Sequence, residues 1–415
     1  LDASISPVIA ASGLALATHA FAATSILFAI PTFLFAATSP IAVRLFATST
    51  GESGSTAGSI SAISTVGSIA GSLATAFFLI DWLESINRTV IAVGIGAALT
   101  AGATALTFLT PRGRRSVLTA AGAAALLLAL TAAFARSTSI DRTLLTPLPN
   151  THVLFVGDSP YHHLVVRERS RLRELVFNIA IQSRMRVDDP FGPGLFYTDS
   201  VHLTRLMRPE TKRVLVVGVG GGTIPKQFTH LYPDVVIDAV DVDPLVIEVA
   251  KRYFALRPGP RLRLHAGDGR TFLKRSTETW DLIVIDAYST NRYGDTIPPH
   301  LVTREFFAEI AGRLSPNGVL HYHCAFHASR LMPALEKTIG SVYPHVARVH
   351  GEILASQTPL VFEKEVLLAR ADESGIAHLP NLRDAIETLS PRRPRPDAQL
   401  LTDDYAPVDT LLRKR

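Results

Sequence analysis

A chain of 415 residues is long enough for two or three domains, and 47% apolar content is high for a protein that is soluble throughout, so a membrane portion is the first expectation. The net charge of +5 is spread along the chain, and no basic run is interleaved with aromatics, which excludes a nucleic-acid stacking surface and fits a face near lipid headgroups better. One cysteine, Cys324, excludes an internal disulfide framework.

Apolar character is concentrated before residue 136, in segments that carry almost no charge over the roughly 20 residues needed to cross a hydrocarbon core. The expected spans are 7–22, 24–45, 57–80, 89–109 and 117–135; the first two are one broken helix or a pair, because Pro31 and Pro40 interrupt them. Gly54-x-x-x-Gly58 and Gly67-x-x-x-Gly71 place small residues one turn apart, as helices packed in a lipid bundle require. Asp81 and Glu84 lie beside Trp82 at a span end, where an interfacial role suffices, so anchoring in the bilayer is expected rather than transport. The loop arginines divide: Arg112, Arg114 and Arg115 favour one orientation, Arg136 and Arg142 the other. No signal peptide is visible and no initiator Met is present, so further upstream residues are expected.

From about residue 152 the pattern becomes short strand-like runs and amphipathic helices. "HVLFVGDSPYHHLVVRERSRLRELVFN" reads as two or three strands of a small antiparallel subdomain. From 213 onward, β-branched runs alternate with helices, which predicts a mostly parallel sheet covered on both faces. Its strands are expected at Val214–Val217, Val235–Val240, Leu262–His265, Leu282–Ile285 and Val319–Tyr322, with another at Glu365–Arg370, and Ser390–Asp397 reads as a linker. The expected organisation is a transmembrane helical bundle over 1–136, a small β subdomain over 150–205, an α/β Rossmann-like nucleoside-binding domain over 206–390 and a tail over 391–415.

Gly218, Gly220 and Gly222, with Gly221 between the last two, follow a strand and precede a helix, so the turn can be tight and its backbone can approach a ligand. Their G-x-G-x-G spacing suits a nucleoside better than a dinucleotide. Three more strands end in acids: Asp241 and Asp243 in "AVDVDP", Asp268 in "GDG" before Gly269, and Asp286 in "VIDAY". Ligands of open α/β sheets bind outside the carboxyl ends of the strands, so one crevice receives a glycine turn and a set of carboxylates. An acid after the second strand can hold both ribose hydroxyls, and Asp268 can accept from an adenine amino group.

The run "VLVVGVGGG … AVDVDP … HAGDGRTFL … WDLIVIDAY" resembles the polyamine aminopropyltransferases, the spermidine synthases, and "SPYHHLVV", "FNIAIQS" and "FYTDSVHL" resemble their N-terminal strands and substrate gate. With the preceding helices and "LTDDYAPVDTLL", the chain is similar to membrane-fused members over nearly its whole length. The resemblance implies a methyltransferase-type fold, decarboxylated S-adenosylmethionine or S-adenosylmethionine as co-substrate, and a putrescine-like amine as acceptor. By position, Asp241 takes the ribose, Asp268 and Gly269 the adenine, and Asp286 is the catalytic acid that orients the amine and accepts its proton. Tyr161, Gln182, Tyr197, Asp199 and Tyr288 fall in segments implied to line the amine site.

Two departures stand out. The family's turn Asp, which holds the cofactor's terminal ammonium, aligns with Gly221, and its second catalytic-loop acid aligns with Ser289, the next acid being Asp295. Loss of the turn charge leaves an S-adenosylmethionine methyltransferase as the alternative, and a polyamine- or nucleoside-sensing membrane protein without turnover as a third class. "HYHCAFH" invites a zinc reading, but a fifth-strand cluster with no second cluster makes ordinary histidines the expectation, and no metal is expected. Because the cofactor is made in the cytosol, the catalytic domain is placed on the cytoplasmic face of the inner or plasma membrane. The sequence leaves open whether the chain forms a homo-oligomer.

Overall fold

The computed structural model describes residues 40, 43, 47, 49–74, 77 and 150–412, less 179, 193, 292–293 and 326–328. The chain divides into two units, Leu1–Leu148 and Pro149–Arg415. In the first, α1 (Ser53–Ala74) is the one helix among the described residues that is long and apolar enough to cross a membrane, by length and composition only. It covers most of the span expected at 57–80. Apart from residues 40 and 43, the spans expected at 7–22, 24–45, 89–109 and 117–135 lie outside the described residues.

The second unit opens with an antiparallel sheet of β1 (His152–Asp158), β2 (His163–Arg169), β3 (Leu172–Phe177) and β4 (Ala180–Arg186), in that spatial order. Three strands therefore occupy the stretch expected to hold two or three, and "AIQSRMR" adds the fourth. Leu164, Val166, Leu175, Phe177 and Met185 on one face pack against Val246, Val249 and Phe254. The last three come from α4 (Pro244–Tyr253) and the residue that ends it.

The main sheet has eight strands: β14 (Ser390–Pro391), β12 (His345–Val349), β13 (Glu352–Ser356), β11 (Leu314–His323), β8 (Trp280–Ile285), β5 (Arg213–Val217), β6 (Val236–Asp241) and β7 (Leu262–Ala266). From β11 to β7 all pairings are parallel, and β13, β12 and β14 add an antiparallel edge. Alternation assigns the two faces. Val214, Val216, Ile237, Ala239, Leu282 and Val284 meet Leu203 and Leu206 of α2 (His202–Met207), Phe228 of α3 (Thr223–Leu231), Leu367 of α8 (Lys364–Glu373) and Ile386 of α9 (Leu382–Thr388). Leu215, Val217, Val240, Ile283, Ile285 and Tyr322 meet the other face's helices: α5 (Gly269–Arg275), α6 (Arg304–Ala311), α7 (Leu331–Gly340) and α10 (Val408–Leu412). Phe228, Phe306 and Phe307 are wholly buried, and each such side chain contributes about 1.5 to 3 kcal/mol of transfer free energy.

Glu365–Arg370, expected as a strand, lies inside α8 instead. Its Leu, Ala, Glu and Arg are strong helix formers, and Leu367 and Ala371, four apart, bury while most of the helix faces outward. The sheet is completed by the β12–β13 hairpin, turned at His350, which takes a φ of 47°. Ser390–Asp397 is also no free linker: Arg348 pairs with Ser390 across β12 and β14, and Lys337 Nζ donates to the carbonyls of Pro396 and Ala398. The tail is fixed further by Arg270, whose guanidinium donates to both oxygens of Glu309 and both of Asp403.

Two outcomes follow from this packing. Gly218 has a φ of 98°, and a Cβ there would collide with the carbonyl of Asp286, so Gly218→Ala should cost about 2 to 4 kcal/mol, read as a lower midpoint in urea unfolding. Hydrogen bonds from Arg270 hold the Asp403 carboxyl down to about 2, against an unfolded value near 3.9. A depressed folded-state pKa means the contribution is present above about pH 4 and is lost as pH falls toward 2. Asp403→Asn should flatten that part of the Tm-versus-pH curve, and by less than about 1 kcal/mol because Asp403 is nearly half exposed.

Candidate active site

The chain runs β5, β6, β7 outward on one side and then returns to place β8 on the other side of β5, so the crevice opens between β5 and β8. A cavity of about 890 Å³ sits there, beyond the carboxyl ends of β5, β6, β8 and β11 and roofed by the antiparallel sheet.

The glycine turn is drawn tight against its neighbours. Gly218 N–H donates to the carbonyl of Val240, and Asp286 N–H donates to the carbonyl of Val217, so the ends of three strands are tied together. Gly218 and Gly220 line the cavity, while Gly221 and Gly222 face away from it. Gly221 N–H donates to Ser183 Oγ at 2.8 Å, and a Cβ at 221 would lie 2.8 Å from Ser183 Cβ and 3.0 Å from Phe254 Cδ1. No acid fits at this position with Ser183 and Phe254 where they stand. Gly222 packs on Leu256 and caps α3.

Asp241 reaches back to the turn and accepts from the N–H groups of Val219 at 2.8 Å, Gly220 at 3.4 Å and Asp243 at 3.0 Å. Burial pushes its carboxyl above the usual range, and these donors oppose the shift. Asp268 caps α5 through Thr271 N–H and takes a second bond from His300 Nε2 at 2.9 Å. Both acids and Gly269 line the cavity.

Asp286 lines the other side, with Gln182, Tyr197 and Tyr288. Tyr197 Oη donates to Asp286 Oδ2 at 2.8 Å, and its ring stacks on His323 with centroids 3.7 Å apart. His323 Nδ1 lies 3.1 Å from Glu352 Oε1; a carboxylate only accepts, so Nδ1 is the donor. Tyr288 Oη donates to the carbonyl of His323 and accepts from Ala325 N–H. Burial raises the Asp286 carboxyl, while the nearby His323 and the Tyr197 hydroxyl draw it back. Tyr161 sits at the rim, about half exposed.

Two expected residues are placed elsewhere, and a third is described in its backbone alone. Asp243 is fully buried outside the cavity wall, capping α4 through Leu245 N–H and accepting from Ser159 Oγ at 2.5 Å. Asp199 is also fully buried away from the cavity, where Oδ2 accepts from the backbone and side chain of Asn381. The backbone of Asp295 belongs to β10 (Gly294–Thr296), paired with β9 (Ser289–Asn291), and its side chain lies outside the described residues. Conversely, His162, His300, His323, Arg348 and Glu352 line the cavity without having been expected there. His323 ends the fifth parallel strand, so the rule that gathered the acids reaches it too. Glu352 stands on a hairpin the sequence reading missed. Among the described residues no His, Cys, Asp and Glu are grouped so as to hold a metal ion.

The model of the spermine/spermidine synthase domain matches residues 196–351. The chain is 30% identical over 302 residues to the polyamine aminopropyltransferase of Vibrio vulnificus, covering 65% of this chain and 95% of that protein. It is 30% identical over 217 residues to the polyamine aminopropyltransferase of Chromobacterium violaceum, covering 50% of this chain and 82% of that protein. Among solved structures, a probable spermidine synthase from Corynebacterium glutamicum is similar over 63% of this chain and 99% of that chain, with a TM-score of 0.48 and 17% identity. Since almost the full length of the Vibrio relative is covered at 30% identity, the chain belongs to the polyamine aminopropyltransferase family.

Proposed function

We propose that the cavity binds decarboxylated S-adenosylmethionine with a small diamine of the putrescine class and moves the aminopropyl group to the amine, releasing methylthioadenosine. Family membership makes the chain an aminopropyl transferase; the acceptor and the roles of its residues are inferred from the cavity. Asp241 and the Asp268–Gly269 corner take the nucleoside, and Asp286, Tyr197, Tyr288 and Gln182 take the amine. The observation that carries this reading is a half-buried carboxylate, Asp286, on the cavity wall opposite the Asp241 and Asp268 side and fixed by Tyr197.

The chemistry suits that wall. An aliphatic amine with a pKa near 10 arrives as an ammonium, and a carboxylate in a low-dielectric site draws it in and aligns its nitrogen. Once the ammonium has given a proton to a base on that wall, the freed nitrogen lone pair forms the new C–N bond as the C–S bond breaks, and the sulfonium departs as a neutral thioether. The protein's part is alignment and exclusion of water rather than stabilisation of a leaving charge.

The chain's membrane attachment is inferred from the apolar N-terminal sequence and from α1, with the catalytic unit on the cytoplasmic side where the cofactor is made. Cys324 is buried and does not report on this. A cysteine at Arg395, which is well exposed, should resist a membrane-impermeant thiol reagent in intact cells and react after lysis; labelling in intact cells would reverse the orientation.

Mass spectrometry of the purified protein with intact or decarboxylated S-adenosylmethionine, with and without putrescine, tests the reaction. Methylthioadenosine is expected only from the decarboxylated cofactor and only with the diamine. S-adenosylhomocysteine from the intact cofactor would make the protein a methyltransferase instead. Asp286→Asn should lower kcat by about 10²-fold or more while methylthioadenosine still binds within a few-fold of the wild-type Kd by calorimetry.

A further inference from the structure

Four carboxylates line the cavity: Asp241, Asp268, Asp286 and Glu352. Both oxygens of Asp241 are taken by backbone N–H groups, and those of Asp268 by Thr271 and His300. Glu352 differs. Its side chain is completely buried, one oxygen accepts from His323 Nδ1, and the other has no hydrogen-bond partner. An acid buried with half its acceptors unpaired is costly, and stability alone gives no reason to keep it.

His323 supplies a reason. With Nδ1–H committed to Glu352, the imidazole's other nitrogen, Nε2, carries the lone pair, and it makes no hydrogen bond among the described residues. The ring cannot turn away. Tyr197 is stacked flat on it at 10° between planes, Tyr288 meets its edge with centroids 5.4 Å apart, and its backbone carbonyl is held by Tyr288. The titratable groups facing it are Glu352 from β13, Tyr197 from the 196–201 turn, Tyr288 and Asp286 from the end of β8, and His321 on its own strand. Tyr197 thus touches both candidate proton acceptors at once, Asp286 through its hydroxyl and His323 through its ring.

We propose that Glu352 and His323 form a carboxylate–imidazole pair that takes the proton from the acceptor amine at the reacting centre, leaving Asp286 to hold and orient the ammonium. The inference rests on the aminopropyl-transfer reading above and divides the two tasks first assigned to Asp286 alone. The steps balance. The ammonium N–H bond gives its proton to Nε2, the freed lone pair forms the C–N bond, and the C–S bond breaks with its electron pair passing to sulfur. The product is a secondary ammonium beside a neutral thioether, and the imidazolium, stabilised by Glu352, returns its proton to water. His323 is the catalytic residue of the pair, and Glu352 is a positioning residue acting through it.

Single-turnover and steady-state kinetics with decarboxylated S-adenosylmethionine and putrescine test this on His323→Ala, His323→Gln and Glu352→Gln. General-base catalysis is worth about 10² to 10⁴-fold, so both His323 variants should lose at least about 10²-fold in kcat, and Glu352→Gln about tenfold. KM for putrescine and Kd for methylthioadenosine should stay within about threefold in each; the Kd also shows that the variant is folded. Added imidazole should restore turnover to His323→Ala, more strongly for more basic imidazoles, a dependence a packing role cannot produce. Near wild-type kcat in His323→Gln, or rescue independent of basicity, overturns the pair. If the wild type itself makes no methylthioadenosine, the aminopropyl-transfer reading falls and takes the pair with it, whereas an active wild type with unimpaired His323 variants removes the pair alone.

Discussion

The close approach of the Gly218 backbone to the carbonyl of Asp286 is the contact on which the site depends. It is permitted because the residue has no Cβ and adopts a φ of 98°. Through it the end of β5 lies directly against the end of β8, and the Val240 and Val217 carbonyls lock the two ends to each other and to β6. The two sides of the cavity proposed for cofactor and amine are therefore set by one backbone contact. That contact is made by main chain alone, so the side chains around it vary in role while the crevice keeps its shape.

Much of this was legible because it obeys short-range rules. Parallel strands buried on both faces are written as β-branched runs, and every strand expected from 213 to 322 is present, with β6 shifted by one residue and β11 beginning five residues earlier than expected. The family resemblance stated from the motifs agrees with the comparisons. Where the reading failed, periodicity was ambiguous or the signal was non-local. "EVLLAR" is a short apolar run whose periodicity suits either element, and its helix-forming residues together with the burial of Leu367 and Ala371 decide for a helix. The β12–β13 hairpin turns on His350–Gly351, where His rather than Asn or Asp precedes the glycine, so its turn signature is weak.

The site shows the same division. Asp241, Asp268, Gly269 and Asp286 were found because each ends a strand in sequence, which also places it in space. Asp243 fits that rule equally well on paper, but its carboxylate is consumed by a helix cap, and Asp199, expected from the resemblance of "FYTDSVHL", turns to Asn381 instead. A motif cannot tell a cap from a ligand when both want the same acid at the same position. Glu352 reaches the cavity from an antiparallel edge strand that no local pattern announced. Its partner His323 was visible in "HYHCAFH" and could be weighed only as a metal ligand or an ordinary strand-end histidine.

The way the glycine turn spends its amides decides which molecules the site refuses. Glycine-rich turns at helix starts elsewhere gather phosphates because their N–H groups point outward and unpaired. Here Val219 and Gly220 donate to Asp241, and Gly221 donates to Ser183. A nucleotide entering the cavity would meet no free donor at that corner and would set its phosphate against a carboxylate. If adenosine binds here as proposed, a phosphate tail would be repelled, so the turn would favour an adenosyl group whose 5′ substituent is uncharged or cationic. ATP and dinucleotides share that adenosine and would be disfavoured by the rest of their own structure.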